Sequence, residues 1–213
     1  MRTITKITNV YEFEELSSDA KEHALDKYRE WMTDDPYWYT CIEEDWKDRL
    51  AELGIDKPEI YFSGFYSQGD GAVFECKGID LIKLMNNLGL QDKYRYVYDR
   101  VLDDVLAVSV GIHRTSTYHD HENTALFDLS FEQLNDDEFE SYEECEETEG
   151  MIISMLSQLR IELEQWRIDT CKEIYQALEQ EYEMLQSDDV LKEIFIENEY
   201  EFTDDGNMYN QQG

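Results

Sequence analysis

Two runs, Glu59-Ile60-Tyr61-Phe62-Ser63-Gly64-Phe65 and Ala72-Val73-Phe74-Glu75-Cys76, flank Ser67-Gln68-Gly69-Asp70-Gly71, and their reading decides the fold class. Aromatic and β-branched side chains on both sides suit a pleated, half-buried surface. The glycines on either side of Asp70 supply positive φ without steric penalty, so the stretch predicts a hairpin. Val105 to His113 and Thr124 to Phe131 form a second antiparallel pair, joined by a polar loop around Tyr118. Short antiparallel strands interleaved with helical periodicity define an α+β chain, an antiparallel sheet packed with helices.

Outward from the hairpin the pattern is mostly helical. Upstream, Thr3 to Phe13 reads as a first strand through Ile4, Ile7, Val10 and Tyr11. Leu16-Ser17-Ser18-Asp19 then starts a helix with a serine N-cap and an acid in the first turn. Leu16, Ala20, Ala24, Tyr28 and Trp31 follow at helical spacing until Asp34-Asp35-Pro36 stops them. A second helix from Tyr37 carries Tyr39, Ile42, Trp46, Leu50 and Leu53 on one face and ends at Gly54. Downstream, Ile79 to Leu88 is a short helix closed by Gly89, whereas Asp92 to Asp103 fits either strand or helix. Beyond an acidic segment, 132–149, the residues Ile152, Met155, Leu159, Leu163, Trp166, Ile174, Leu178, Tyr182 and Leu185 form one apolar stripe. It predicts a long C-terminal amphipathic helix over about 150–186, roughly 50 Å at 1.5 Å per residue. Ser187-Asp188-Asp189 caps a last short helix, and Tyr200-Glu201-Phe202 adds an edge strand. No repeat or Pro- and Ser-rich linker interrupts the chain, so a single α+β domain over 1–213 is expected.

The 213 residues carry 51 acids against 18 bases, a net charge of −33. That field opposes phosphate at every approach, which excludes direct non-specific nucleic-acid binding and attraction to anionic membranes. At 41% hydrophobic and 13% aromatic, the chain is too apolar to be wholly disordered. No run of 18 apolar residues occurs, and Met1 to Lys6 lacks the apolar region of a signal peptide. Cys41, Cys76, Cys145 and Cys171 are scattered, without metal-site or disulfide spacing, so a reduced cytoplasm is the expected compartment.

Chemistry has few footholds. His113 and the run His119-Asp120-His121-Glu122 resemble a metal site only in residue type, and a solvated hairpin loop accounts for them, so no metal or cofactor is expected. Cys41, Cys76 and Cys171 read as buried structural thiols. Ser67, Gln68 and Asp70 sit where a tip contacts a partner or carries a carboxylate for acid/base work, although turn chemistry alone explains the glycines. The acids are the strongest signal: Glu132 to Glu149 includes Asp136, Asp137, Glu138, Glu140, Glu143, Glu144, Glu146 and Glu147 with no Lys or Arg. On a helix, carboxylates three or four residues apart lie about 5–6 Å from one another, comparable to phosphate spacing. Such a surface suits a protein groove built for nucleic acid; the plain alternative is a solvated acidic face or loop.

Three segments carry a family resemblance. Ile60 to Glu75 is similar to the hallmark "YFSGFxSQGDGAxFEG" of a family of uncharacterised bacteriophage and mobile-element proteins. Glu181-Tyr182-Glu183-Met184-Leu185-Gln186-Ser187-Asp188-Asp189 and Glu197-Asn198-Glu199-Tyr200-Glu201-Phe202-Thr203-Asp204-Asp205-Gly206 resemble it in the same order. Cys76-Lys77 stands where that family usually has Gly after the glutamate. The resemblance implies a phage origin and brings no catalytic residues with it; some such proteins are labelled antitoxin-like. The expected function is therefore an acidic, phage-type accessory protein that inhibits a host nucleic-acid-binding or defence protein with a basic surface, in part by mimicry. The alternatives are an antitoxin-like neutraliser of a basic toxin and an enzyme using Asp70 with the histidine loop. Mutual repulsion at −33 favours a monomer over a homodimer.

Overall fold

The computed structural model describes residues 1–3, 7–116, 118–133 and 142–209, with the backbone alone for 133 and 142–147. In chain order its elements are β1 (Tyr11–Glu12), α1 (Ser18–Tyr28), α2 (Thr40–Glu52), β2 (Ile55–Asp56), β3 (Glu59–Ser63), β4 (Gly71–Glu75), β5 (Gly78–Ile79), α3 (Leu81–Leu88), α4 (Arg95–Leu102), β6 (Leu106–Arg114), β7 (Ala125–Gln133), α5 (Tyr142–Leu185), α6 (Asp188–Glu197) and β8 (Glu201–Phe202). Helices and short antiparallel strands make this an α+β protein. The chain divides into two compact units, Met1–Thr40 with Leu178–Gly213, and Cys41–Ala177.

In the first unit the two ends of the chain pair as β1 and β8, with Tyr11 opposite Phe202. Around that ladder Phe13, Leu16, Ala20, Ala24, Leu25, Leu191, Phe195 and Phe202 form one buried cluster. Phe195 stacks against Phe202 at 5.2 Å and against Phe13 at 5.3 Å. The serine caps anticipated above are present: Ser17 accepts from the Ala20 N–H and Ser187 from the Val190 N–H. Of the expected strand over Thr3 to Phe13, Tyr11 and Glu12 are the strand residues among those described. Glu12 and Glu15 exchange side-chain and backbone bonds that turn Phe13–Glu15 into a 3-10 coil, burying Phe13. Helix α1 ends at Tyr28, before Trp31, and irregular turns run to Thr40, where α2 begins three residues later than expected. Pro36 disfavours helical geometry at the residue before it, consistent with that interval.

The second unit holds both hairpins. β3 and β4 pair from Glu59 opposite Glu75 to Ser63 opposite Gly71, and β6 and β7 from Leu106 opposite Gln133 to Arg114 opposite Ala125. β2 and β5 pair Ile55 with Ile79 and Asp56 with Gly78. This is the register of β3 and β4 continued, so β2–β3 and β4–β5 are one long hairpin interrupted in the middle. The interruption falls at Lys57 and Pro58 on one side and at Cys76 and Lys77 on the other, which are not paired with one another. Pro58 has no N–H to donate to the ladder, Lys57 turns through φ 48°, and the Cys76 N–H donates to the Ile112 carbonyl of β6 at 3.0 Å. That bond stitches the first hairpin to the second.

Asp92 to Asp103 resolves as a helix, α4, with Tyr94 and Val97 buried. The Tyr94 hydroxyl donates to Glu162 of α5 at 2.5 Å, and Lys93 pairs with the same carboxylate. Those two bonds hold the Glu162 carboxyl below its ordinary range. Asp80 caps α3 through the Lys83 N–H, and Gly89 closes it at φ 69°. Helix α5 spans 44 residues and starts well before 150, because Glu143 to Glu149 is helical, as the helix propensity of glutamate allows. Its buried face within this unit runs through Ile152, Leu156, Leu159, Leu163, Arg167, Cys171 and Ile174. Leu156 takes the place expected of Met155, and Arg167, 1% exposed, sits within the stripe, its guanidinium held by both oxygens of Glu164 (3.0 and 2.7 Å).

Two glycines separate backbone constraint from mere occupancy. A Cβ on Gly206, at φ 84°, would lie 2.2 Å from the Ala20 carbonyl oxygen, whereas one on Gly150 of α5 would meet nothing within 4 Å. Gly206→Ala should lower stability by at least about 1–3 kcal/mol, and Gly150→Ala should raise it by about 0.5–1 kcal/mol. Chemical denaturation of both variants checks this; equal effects would contradict it.

Candidate functional site

The segment Ile60 to Glu75 forms β3, β4 and the loop 64–70 between them. Ser67 and Gln68 lie exposed at its tip. The Asp70 carboxylate accepts the Ser67 N–H at 2.7 Å while the Asp70 N–H donates back to the Ser67 carbonyl at 3.2 Å. Asp70 therefore closes the turn with both its side chain and its backbone. Of the two glycines expected at positive φ, only Gly69 adopts it, at 95°. Gly71 is required for another reason: a Cβ there would sit 2.5 Å from the His121 Cβ and 2.8 Å from its Cα. Tyr66, an aromatic, takes the second left-handed position of the loop at φ 71° and is exposed. Beneath the tip, Phe65 packs on Phe62 and on Tyr175 of α5, whose hydroxyl donates to the Gly64 carbonyl at 3.4 Å.

The structure thus brings the tip and the histidine loop together. His119 lies beside Gly69 and packs edge-on against exposed Tyr118 at 4.7 Å, with the His121 ring 6.4 Å away. His121 Nδ1 accepts the Asn123 N–H, capping the 3-10 turn Glu122–Thr124. His113 instead lies on the exposed side of β6, opposite Leu126. Among the described residues no three His, Cys, Asp or Glu side chains converge on a point where a metal ion would sit. Under the two loops lies a polar cluster that sequence reasoning missed. The Arg114 guanidinium stacks on the Tyr61 ring at 3.8 Å and pairs with Asp120. The Tyr61 hydroxyl donates to Glu75 at 2.9 Å, and that bond, with burial, pushes the phenol up from its ordinary value. Arg114 follows Val110 and Ile112 at period two on the inner face of β6, which is the signal that marks it as an inward-facing charge.

Burial pushes the Cys76 and Cys171 thiols up to about 11, so both stay protonated at neutral pH and are structural, as expected. Cys41 is exposed, contrary to expectation: α2 keeps only Leu50 fully buried and turns Cys41 outward.

Of the acidic residues expected to bind a partner, Asp136, Asp137, Glu138 and Glu140 lie outside the described residues. Glu143, Glu144, Glu146 and Glu147 fall on the first turns of α5. That helix carries twelve acids against three bases, and one of the bases, Arg167, is buried against Glu164. Elsewhere five bases are shadowed by acids one helical turn away: Arg29 by Asp26, Lys47 by Glu43, Arg49 by Asp45, Arg95 by Asp99 and Lys192 by Asp189. No helix among the described residues is long and apolar enough to cross a membrane.

Fold and site together define an α+β protein of stitched hairpins under a long acidic helix, with its polar loops gathered at one tip. The chain belongs to the family described as Domain of unknown function (DUF8835), whose model matches residues 38–188. The match takes in the β3–β4 hairpin and all of α5, and the description names no activity, host or partner. No curated protein and no solved structure matches the chain.

Asp70→Ala should destabilise the loop by about 1 kcal/mol through loss of a charge-assisted bond, with Asp70→Asn retaining most of it. Gly71→Ala should do more damage than either, by forcing β4 away from His121. Thermal unfolding of the three variants checks the order; an Asp70→Ala protein as stable as the parent would show that the carboxylate is not needed for the turn.

Proposed function

We propose that the chain is a non-enzymatic acidic binding protein, of phage or mobile-element origin and acting in the host cytoplasm. Its partner is a host nucleic-acid-binding or defence protein, which it inhibits by presenting carboxylates to a basic surface in place of nucleic acid. The observation that carries this reading is the distribution of charge. Acids outnumber bases 51 to 18, and many of the bases are already neutralised within one turn of a helix. What remains on the surface is predominantly negative, and a helix holds part of it at fixed spacing. The magnitude far exceeds the roughly 2–8 charges that keep a small domain soluble. The hallmark tip, with Ser67, Gln68 and exposed Tyr66, adds neutral polar and aromatic groups of the kind that anchor protein contacts.

Reversal of Glu143, Glu144, Glu146 and Glu147 to lysine should abolish capture of the host partner while leaving the circular dichroism spectrum unchanged. Capture by the parent protein should fall steeply with added salt, and short duplex DNA should compete with the chain for the partner. Salt-independent capture, or full affinity in the folded quadruple variant, would contradict the proposal. A partner indifferent to DNA would point to the antitoxin-like alternative.

A further inference from the structure

In a chain that is 32% charged, α5 carries ten successive residues, Gly150 to Leu159, with no charge at all. The next uncharged run in that helix, Ile174 to Leu178, is half as long. Ile152, Leu156 and Leu159 of this window are buried, yet its outward side is apolar as well: Ile153 is 46% exposed and Ile161, just beyond it, 70%. Gly150, Ile153, Ser157 and Ile161 follow at steps of three and four residues and so form one continuous face. Its two small residues allow a second helix to approach closely. The Ser157 hydroxyl donates to the Ile153 carbonyl at 2.7 Å, so it can be covered without losing its bond. Glycine weakens a helix interior, and nothing within the chain requires it at 150, where a Cβ would meet no atom within 4 Å.

Opposite charges bound the face. Glu149 precedes the window and Arg160 follows it, both exposed and about three turns apart, on the same side of the helix as Ile153 and Ser157. Arg160 has no ion-pair or hydrogen-bond partner among the described residues, although the chain holds 51 acids. We propose that this face is the contact of a homodimer, in which α5 of a second copy crosses antiparallel near position 155. The two-fold contact sets Ile153 against Ser157 of the second copy and brings each Arg160 to the other copy's Glu149. A parallel crossing would instead set like charges together. An inclined antiparallel crossing carries the acids beyond the window away from one another. A basic host surface is drawn to those acids and not to an uncharged face, which a second copy covers with its own. Repulsion between two chains at −33 opposes the dimer, so the dimer tightens with salt while capture of the host partner weakens. The two readings therefore fail separately.

Sedimentation velocity of the full-length chain alone tests this, from about 1 μM to about 1 mM protein and up to about 1 M salt. Dimer mass should grow with concentration and appear at lower concentration as salt rises. Ile153→Glu, at an exposed position, should keep the circular dichroism spectrum and weaken the dimer at least about tenfold. Arg160→Glu should weaken it by a similar factor at about 0.15 M salt. Adding Glu149→Arg to Arg160→Glu should recover most of that loss, because the exchanged charges still match across the two-fold. A monomer throughout the range, a dimer as tight in Ile153→Glu, or a double variant no tighter than Arg160→Glu alone would overturn the proposal.

Discussion

One hydrogen bond, from the Cys76 N–H to the Ile112 carbonyl, decides how the larger unit is built. Without it the chain from Ile55 to Ile79 is a single long hairpin with a flaw at Pro58. With it, the flaw becomes a junction: the strand leaves its own partner for one residue and joins β6. The bond satisfies a backbone donor that is buried with Cys76. It also brings Phe74 and Ile112, both fully buried, into the core covered by α5.

The long helix packs next to this junction, Trp166 against Phe74 at 6.2 Å, with a face that is not purely apolar. Leu156, Leu159 and Leu163 bury conventionally, and Arg167 and Cys171 follow on the same side. A buried guanidinium is tolerable only with its donors engaged, and Glu164 supplies both carboxylate oxygens one turn away. The outward faces of the same helix are free to carry acids. A single element therefore serves as core and as charged surface, which is why a chain at −33 can still hold a buried core.

Much of this was legible in the residues. Ser17, Ser187, Asp80 and Gly89 end helices for local reasons, and local reasons are written in local sequence. Both hairpins followed from alternation and turn chemistry. What escaped depends on residues far apart in the chain. The pairing of Cys76 with Ile112 spans 36 positions, and nothing near Cys76 announces it except Pro58. Gly71 looked like a turn glycine, but His121, fifty residues on, is what excludes a side chain there. Arg114 and Arg167 face inward only because Tyr61, Asp120 and Glu164 stand ready to receive them. The partner-binding acids were visible as charge, but charge alone names the sign of a partner's surface and not the partner.

The stitched junction can be tested by native-state hydrogen exchange. The Cys76 amide should exchange as slowly as the paired amides of β6 and β7, opening only with the unit as a whole. Exchange of Cys76 at the rate of an exposed loop amide such as Gln68, while β6 stays protected, would show that the two hairpins are not joined there.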